Sequence, residues 1–197
     1  MSARPAVFLD RDGTMIHEAG YLGRIDDLRW FPWTVDAVRL LNRAGFFVFV
    51  VTNQGGVGLG LYPEATVHAI HDAMTSTLER GGARVDGWFY CPHHPEARID
   101  ALRIDCDCRK PKPGLVRQAA AAHEVDLPRS FVVGDKLSDV DLARGVGARG
   151  VLVRTGYGDE VVQAHAGVVP GAAHVAADLM AATAWLLDVS HEQGRSA

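Results

Sequence analysis

The sequence contains no long apolar segment and no excess of positive charge, and each of these absences excludes a class of function. No apolar run approaches the ~20 residues that a membrane-spanning helix needs, so we expect no membrane span. The 20 Lys and Arg residues are outnumbered by 24 Asp and Glu residues, for a formal net charge of −4. This balance gives no overall attraction to nucleic acid or to an anionic membrane. An anionic ligand would therefore need a local cluster of positive side chains.

The start of the chain carries no pattern typical of a secretion signal. Residues 1–5 lead directly into the apolar run Ala6–Leu9, without the charged and apolar regions of a signal peptide. We therefore expect a cytoplasmic protein. The length of 197 residues fits one domain, which we predict at residues 1–190, with a frayed tail at residues 191–197.

Apolar runs alternate with helix-like segments along the chain. The run FFVFVV at residues 46–51 is continuous, which is typical of a strand buried on both faces. Further strands are predicted at residues 6–9, 88–90, 131–133, 150–153 and 174–176. Helices are predicted at residues 34–44, 63–80, 114–123, 139–144 and 177–187. This alternation predicts a doubly wound parallel α/β sheet, in which ligands bind beyond the carboxyl ends of the strands.

Carboxylates follow two of the predicted strands. Asp10 and Asp12 come after the first strand, and Asp135 comes after the fourth. Like charges this close require a cation or a proton between them. Three hard oxygen donors suit Mg²⁺, so we predict a magnesium site made by Asp10, Asp12 and Asp135.

Other polar residues at the strand ends suit a phosphate group. The Thr52 hydroxyl can donate to a phosphate oxygen, Lys110 supplies a point charge, and Gly13 allows close approach of the backbone. We also predict substrate contacts from four further residues, namely Asn53, Gln54, Arg109 and Lys136. Together these residues predict covalent phosphate ester hydrolysis.

In that mechanism Asp10 attacks phosphorus, while Asp12 acts first as general acid and then as general base. Taken singly, each motif is more often a turn or a helix cap than part of a site. Their occurrence together, each at a strand end, favours the catalytic interpretation.

Four segments resemble the motifs of the haloacid dehalogenase superfamily. They are FLDRDGT at residues 8–14, VTN at 51–53, KP at 110–111 and VGDKLSD at 133–139. The resemblance implies that Asp10 is the nucleophile. It also implies that Asp12 is the acid/base residue that distinguishes phosphatases from dehalogenases in this superfamily.

All three cysteines lie within residues 91–108, beside a histidine. Cys91, His93, Cys106 and Cys108 offer three thiolates and one imidazole, which fill a tetrahedral zinc shell and predict a structural site. His94 could compete with His93 as a ligand, but its spacing is less favourable, so we expect it at the surface or behind the ligands. A zinc knuckle for nucleic acid is disfavoured by the acidic balance.

This cysteine-rich loop narrows the resemblance. The pattern CPHHP, a spacer, then CDCRKP resembles the D-glycero-D-manno-heptose 1,7-bisphosphate 7-phosphatase family. Twelve residues (94–105) separate His93 from Cys106, whereas the related histidinol-phosphate phosphatase domain usually has a shorter insert. The sequence departs from many family members at Gly55 and Leu59, where they carry Ser and Arg. The resemblance implies removal of the 7-phosphate, with histidinol phosphate as the alternative substrate.

The gaps between motifs leave no space for a cap domain. Positions 11–51 and 53–109 separate Asp10, Thr52 and Lys110, so we expect loops alone to roof the site, at residues 18–27, 54–60 and 91–108. Local positive charge from Arg109, Lys110, Lys112 and Lys136 suits a small phosphorylated sugar.

Three expectations concern partners and rival functions. The family resemblance implies a monomer, and the lack of a basic track disfavours an enzyme that processes nucleic-acid ends. A scaffold that binds a phosphorylated ligand without cleaving it is a further alternative. The presence of both Asp10 and Asp12 disfavours it.

Overall fold

Six short apolar segments form one parallel sheet in the computed structural model, which describes residues 3–195. The strands are β1 (Ala6–Leu9), β2 (Phe47–Asn53), β3 (Gly87–Cys91), β4 (Phe131–Gly134), β5 (Arg149–Val153) and β6 (Ala172–Ala176). Their order is β3-β2-β1-β4-β5-β6, and every neighbouring pair is parallel. The predicted doubly wound α/β fold is confirmed.

Six α-helices connect and flank the strands. They are α1 (Thr34–Arg43), α2 (Glu64–Arg80), α3 (Gly114–Ala122), α4 (Leu137–Val146), α5 (Gly158–Ala164) and α6 (Leu179–Arg195). Helix α6 continues to Arg195, beyond its predicted end at residue 187 and through most of the tail that we expected to be frayed. Residues 196–197 of that predicted tail lie outside the described residues.

The sheet is buried on both faces because alternate residues of each strand pack against different helices. In β1, Val7 and Leu9 belong to the core cluster that includes residues of α1, α2 and α6. Ala6 and Phe8 point to the opposite face and pack with residues of α3 and α4. A strand covered on both sides needs apolar residues at every position, which explains the continuous apolar runs.

The strand order reverses between β1 and β4. From β1 the chain builds outward through β2 and β3, and it then crosses to β4 and builds outward through β5 and β6. The carboxyl ends of β1 and β4 therefore meet at the topological switch point, where ligands bind in such sheets.

No separate cap domain occurs within residues 3–195, and the loops that we predicted over the switch point do line the cavity there. Among the same residues, no helix is both long enough and apolar enough to cross a bilayer.

Candidate active site

A cavity of about 610 Å³ opens at the carboxyl ends of β1, β2 and β4. Eight of the residues predicted for the site line it, namely Asp10, Asp12, Thr52, Asn53, Gln54, Arg109, Lys110 and Lys136. The other two, Gly13 and Asp135, pack against each other. The fold therefore brings the predicted residues into one place.

A buried ion-pair chain connects Asp10 to the start of α4. The Lys110 ammonium lies 2.8 Å from Asp10 Oδ1 and 2.6 Å from Asp139 Oδ1. Burial alone would lower the pKa of Lys110, but the two carboxylates outweigh it and raise the pKa. Lys110 therefore stays charged, as a phosphate-binding group must. Asp139 Oδ2 also accepts the backbone N–H of Lys136 at the helix start.

Asp135 lies fully buried beneath two glycines. Its Oδ2 accepts the N–H of Tyr157 at 2.8 Å, whereas its Oδ1 has no hydrogen-bond partner among the described residues. A Cβ atom on either Gly13 or Gly156 would lie 2.1 Å from Asp135 Oδ2, and both glycines have positive φ angles. Burial and then the charge of Asp10 raise the pKa of Asp135 to about 8. An unpartnered, buried carboxylate oxygen of this kind fits a cation.

Asp10, Asp135 and Asp139 form what we call the carboxylate cluster, in which each residue offers one oxygen within 4.8 Å of the others. Both oxygens of Asp139 are already used by Lys110 and by the N–H of Lys136. Asp10 Oδ1 likewise binds Lys110 and the N–H of Arg11, and Asp135 Oδ2 accepts the N–H of Tyr157. The remaining oxygens, Asp10 Oδ2 and Asp135 Oδ1, are therefore the better donors for Mg²⁺, which prefers hard oxygen ligands.

The Asp12 carboxylate is outside this cluster, which differs from the predicted magnesium ligand set. Its two oxygens accept hydrogen bonds from Arg11, at 3.1 Å from Nε and 3.0 Å from Nη2. Gln54 Nε2 donates to the same carboxylate at 2.8 Å. The sequence predicted Asp12 as a third magnesium ligand beside Asp10 and Asp135, but the neighbouring guanidinium holds the Asp12 carboxylate apart from them.

Two residues at the end of β2 orient other groups of the site. Gln54 Nε2 donates to Thr52 Oγ1 at 3.0 Å, which leaves the hydroxyl hydrogen of Thr52 for an acceptor in the cavity. The Asn53 side chain bonds the backbone of Lys110 at both ends, with distances of 3.0 and 3.2 Å. Asn53 thus fixes the Lys110 segment, and its predicted substrate contact stays a prediction.

The rim of the cavity carries two further cations. Lys136 Nζ lies 3.3 Å from Glu18 Oε2 and 4.5 Å from the centre of the Tyr157 ring. Arg109 Nη1 donates to the carbonyl oxygen of His93 at 2.9 Å. The two side chains reach the cavity from different loops, so a ligand with two anionic groups would meet positive charge at more than one point.

His94 also lines the cavity, where sequence reasoning expected only a surface or supporting residue. Its Nδ1 accepts the N–H of Glu96 at 3.1 Å. A Cβ atom on Gly55 would lie 2.9 Å from His94 Cδ2 and 3.3 Å from Arg109 Nη1. The absence of a Cβ atom at position 55 therefore allows the side chains of His94 and Arg109 to pack against the backbone of Gly55, where the three residues form one wall of the cavity.

Cys91, His93, Cys106 and Cys108 form a second group, which we call the cysteine cluster. Neighbouring ligand atoms lie 3.1–3.5 Å apart. The shortest distance joins His93 Nδ1 to Cys108 Sγ, and the Cys91 and Cys106 sulfurs are 3.5 Å apart. A tetrahedral Zn²⁺ with bonds of 2.0–2.3 Å would require about 3.5–3.8 Å, which is close. Burial raises the pKa of the Cys91 thiol, so its thiolate needs a cation nearby.

Several residues that shape the site had no individual role predicted from the sequence, although Asp139 lies in the segment VGDKLSD and Glu18 lies in the predicted roof loop at residues 18–27. Asp139 pairs with Lys110, and Arg11 pairs with Asp12. Glu18, Tyr62 and Tyr157 line the cavity. The only sequence signals were the position of Arg11 between two aspartates and that of Asp139 four residues after Asp135. The aromatic residues and Glu18 lie on loops, whose course no periodicity predicts.

Fold and site together define the class of protein. A family model described as HAD-hydrolase-like matches residues 107–182. A curated relative from Thermosynechococcus vestitus, named D-glycero-D-manno-heptose-1,7-bisphosphate 7-phosphatase, is 41% identical over 187 residues, which cover 93% of this chain and 95% of the relative. A relative from Rhodopseudomonas palustris, with the beta-anomer in its name, is 46% identical over 75% of this chain and 82% of its own length.

A solved structure agrees with these relatives. The D,D-heptose 1,7-bisphosphate phosphatase from B. bronchiseptica, solved with magnesium and phosphate, superposes with a TM-score of 0.83 at 35% identity. The match covers 94% of this chain and 99% of that one. The chain therefore belongs to the HAD-like hydrolases, in the family of the heptose-bisphosphate phosphatases, and it is a phosphoric monoester hydrolase.

Proposed function

We propose that this enzyme removes the 7-phosphate of D-glycero-D-manno-heptose 1,7-bisphosphate through a covalent phosphate ester on Asp10. The observation that carries the proposal is the pairing of Asp10 with the buried Lys110 ammonium, 2.8 Å away, in the cavity that Asp12 and Thr52 also line. Relatives named for this reaction support the substrate.

We propose that Asp10 and Asp135 bind Mg²⁺. The unpartnered Oδ1 of Asp135 and the all-oxygen donor set support this assignment. When bound, the ion neutralises charge on the phosphoryl oxygens and on the two carboxylates. Lys110 adds a fixed positive charge to Asp10, and Asp139 holds Lys110 in place.

In the first chemical step an Asp10 oxygen attacks phosphorus while the bond from phosphorus to the sugar oxygen breaks. The proton of Asp12 passes to that departing oxygen, so the sugar leaves with a neutral hydroxyl group in place of the 7-phosphate. Thr52 donates its hydroxyl hydrogen to a phosphoryl oxygen, because its own oxygen already accepts from Gln54. Lys110 offsets the charge that develops on the other phosphoryl oxygens.

In the second step water attacks the phosphorus atom of the ester. Its proton passes to the Asp12 carboxylate, the bond from phosphorus to Asp10 breaks, and inorganic phosphate leaves. Asp10 is again a carboxylate and Asp12 is again protonated. The sum is one water consumed, and one alcohol and one phosphate formed.

We propose that the rim cations select a bisphosphate. Arg109 and Lys136 lie on different loops around a cavity of about 610 Å³, which is large enough for a sugar with two phosphates. One phosphate lies at Asp10, and the other meets a rim cation, with Arg109 as the better candidate because its Nη1 is already fixed on His93.

We propose that the cysteine cluster binds a structural Zn²⁺. Three thiolates and one imidazole leave no open coordination position. Since Arg109 and Lys110 follow directly after Cys108, the ion would fix the segment that delivers both cations.

The test is phosphate release with Mg²⁺ from both anomers of heptose 1,7-bisphosphate and from histidinol phosphate. We expect kcat/KM for one bisphosphate anomer to exceed that for histidinol phosphate by at least about 100-fold. Histidinol phosphate has no second phosphate for the rim cations, and the loss of a hydrogen bond to a charged group costs ~3 kcal/mol. Equal or better turnover of histidinol phosphate would leave the chemistry standing and overturn the substrate.

The monomeric state and the cytoplasmic location of the enzyme stay predictions, in that order of testing. So does its action on a small sugar without nucleic acid or membrane as a partner. Light scattering of the purified protein tests the first part, and subcellular fractionation tests the second.

A further inference from the structure

Arg11 is one of the largest fully buried side chains of the protein, and it points at Asp12. Its side chain has no exposed surface, whereas that of Asp12 retains 15%. Nε and Nη2 together bind both oxygens of the Asp12 carboxylate, at 3.1 and 3.0 Å. A guanidinium fork of this kind fixes the plane of the carboxylate as well as its position.

The other side of the guanidinium rests on helix α2. Arg11 Nη1 lies 3.3 Å from Nε2 of His71, a residue that is only 5% exposed. The imidazole stacks on Trp88 with ring centres 4.5 Å apart and an angle of 23° between the planes. Burial and the charge of Arg11 lower the pKa of His71 to about 3. His71 is therefore neutral, and its Nε2 accepts a hydrogen from Arg11.

Gln54 closes the arrangement from the end of β2. Its Oε1 accepts from Arg11 Nη2 at 2.9 Å, and its Nε2 donates to Asp12 at 2.8 Å. The Gln54 amide and the Arg11 guanidinium thus bind each other, and both bind the Asp12 carboxylate. None of these side chains belongs to the carboxylate cluster. Because Gln54 Nε2 also donates to Thr52 Oγ1 at 3.0 Å, the arrangement orients Asp12 and, through Gln54, the Thr52 hydroxyl.

We propose that His71 is a positioning residue that acts through Arg11 to hold the Asp12 carboxylate in line with the leaving oxygen. This inference rests on the proposed role of Asp12 as general acid. His71 lies in the interior of α2, a 17-residue helix whose residues Ile70 and Met74 pack in the main core. A rigid helix therefore sets where the guanidinium lies, and the guanidinium sets where the carboxylate lies.

The chemistry gives this role a specific signature. An alkyl oxygen leaves only if it receives a proton, whereas p-nitrophenolate is weakly basic and leaves without one. Displacing Asp12 should therefore slow the cleavage of an alkyl phosphate far more than that of p-nitrophenyl phosphate. Loss of packing alone would slow both alike. The ratio kcat/KM reports only steps up to the first bond cleavage, so the later hydrolysis of the ester does not enter.

The experiment measures kcat/KM on p-nitrophenyl phosphate and on whichever alkyl phosphate the enzyme cleaves best. His71→Phe keeps an aromatic ring against Trp88 but removes the acceptor. We expect a loss of about 10- to 100-fold on the alkyl phosphate, as for other small misplacements of a catalytic group, and less than about 3-fold on the aryl phosphate. His71→Gln, which retains an acceptor at similar reach, should recover most of the loss.

His68→Phe on the same helix is the matched control. His68 is exposed and bonds the Tyr90 hydroxyl at 3.0 Å, so its loss should leave both substrates unchanged. Should His71→Phe fail to fold, Arg11→Lys decides, since it retains the charge but lacks the fork. It should show the same selective loss.

Asp12→Asn separates the two levels of the proposal. It should lose ~10²–10⁴-fold on the alkyl phosphate and far less on the aryl phosphate. Equal losses in Asp12→Asn would overturn Asp12 as general acid. A selective loss in Asp12→Asn, with an equal loss or none in His71→Phe, would leave the mechanism intact and overturn the role of His71.

Discussion

The enzyme has two clusters of potential metal ligands at the same edge of its sheet, and they differ in the ligand atoms that they offer and in the groups around them. The carboxylate cluster consists of hard oxygen donors, and one of them, Asp135 Oδ1, has no partner among the described residues. The cysteine cluster consists of three sulfurs and one nitrogen, each within 3.5 Å of another. An oxygen site that retains free positions suits chemistry, whereas a filled sulfur site suits support.

Their surroundings differ in the same sense. Lys110, Thr52 and the Asp12 carboxylate face the cavity beside the carboxylate cluster, so charge that develops there meets prearranged partners. The cysteine cluster lies on the segment that carries Arg109 and Lys110. The comparison leads us to expect that the carboxylate cluster acts on the substrate and that the cysteine cluster supports the residues that hold the substrate, and four predictions can break or sharpen it.

The largest effect is expected for Asp10→Asn. The amide cannot form the phosphate ester, so turnover should fall by at least ~10³-fold, as for other catalytic nucleophiles. Zinc content and the melting temperature should stay close to those of the wild-type protein. Substantial residual turnover, measured as phosphate release, would rule out the covalent mechanism.

Next in size is Cys106→Ser, which should release zinc and loosen the Arg109 segment. Metal analysis should find less than one zinc per chain, and KM for the bisphosphate should rise by about 10-fold or more, the equivalent of ~1.4 kcal/mol of lost binding. The melting temperature should be lower than that of the wild-type protein. Full zinc content together with unchanged selectivity would show that the ligand assignment is wrong. Ser76→Ala, on the surface of α2, is the control.

A smaller effect concerns the pH dependence of metal binding. Without metal, the pKa of Asp135 is raised to about 8 from its model-compound value of 3.8. The folded state therefore holds this proton more tightly than the unfolded state, so metal-free stability falls as pH rises from about 4 to about 8. Mg²⁺ replaces the proton, and the increase in melting temperature that Mg²⁺ causes should be larger at pH 8 than at pH 6.

The control for that measurement is Asp135→Asn, which has no proton to exchange. Its melting temperature should respond little to Mg²⁺ at either pH. A wild-type increment that is the same at pH 6 and pH 8 would contradict the assignment of Asp135 as the ligand that gives up a proton.

The smallest effect is expected at the wall between the two clusters. Gly55→Ser adds a Cβ atom 2.9 Å from His94 Cδ2, so the imidazole must shift by a few tenths of an ångström. We expect KM for the bisphosphate to change by a few-fold with little change in kcat, because Asp10 and Lys110 are not touched. Kinetics on both anomers would detect it. A large drop in kcat would place this wall closer to the chemistry than we infer.

Much of the fold could be predicted because it depends on periodicity. The central strands β1, β2 and β4 are buried on both faces, so each appeared as a continuous apolar run, and all six predicted strands are present. The carboxylates at the ends of β1 and β4 were also predictable, because the order of a doubly wound sheet brings those ends together. The end of α6 was not, because residues after 187 lack the apolar spacing that marked the rest of the helix.

The part of the site that could not be predicted depends on where side chains turn. Asp10 and Asp12 have the same residue type and sit two positions apart, but a buried guanidinium holds only Asp12. Sequence gives no sign that Arg11 is buried, because an arginine between two aspartates usually faces solvent. Similarly, His94 reaches the cavity because position 55 has no Cβ, which is a matter of space that only coordinates reveal.

The split of the sheet at β1 and β4 has a consequence for how the chain could be divided. Each cluster takes ligands from both halves of the chain: Asp10 joins Asp135, and Cys91 joins Cys106. A cut between residues 94 and 105 would leave two fragments that each hold part of both clusters and three neighbouring strands. Neither fragment alone should hydrolyse a phosphate ester. Activity recovered on mixing would require both metal sites to form again from residues of the two fragments. The enzyme would then work as a complementation reporter whose signal depends on zinc as well as on magnesium.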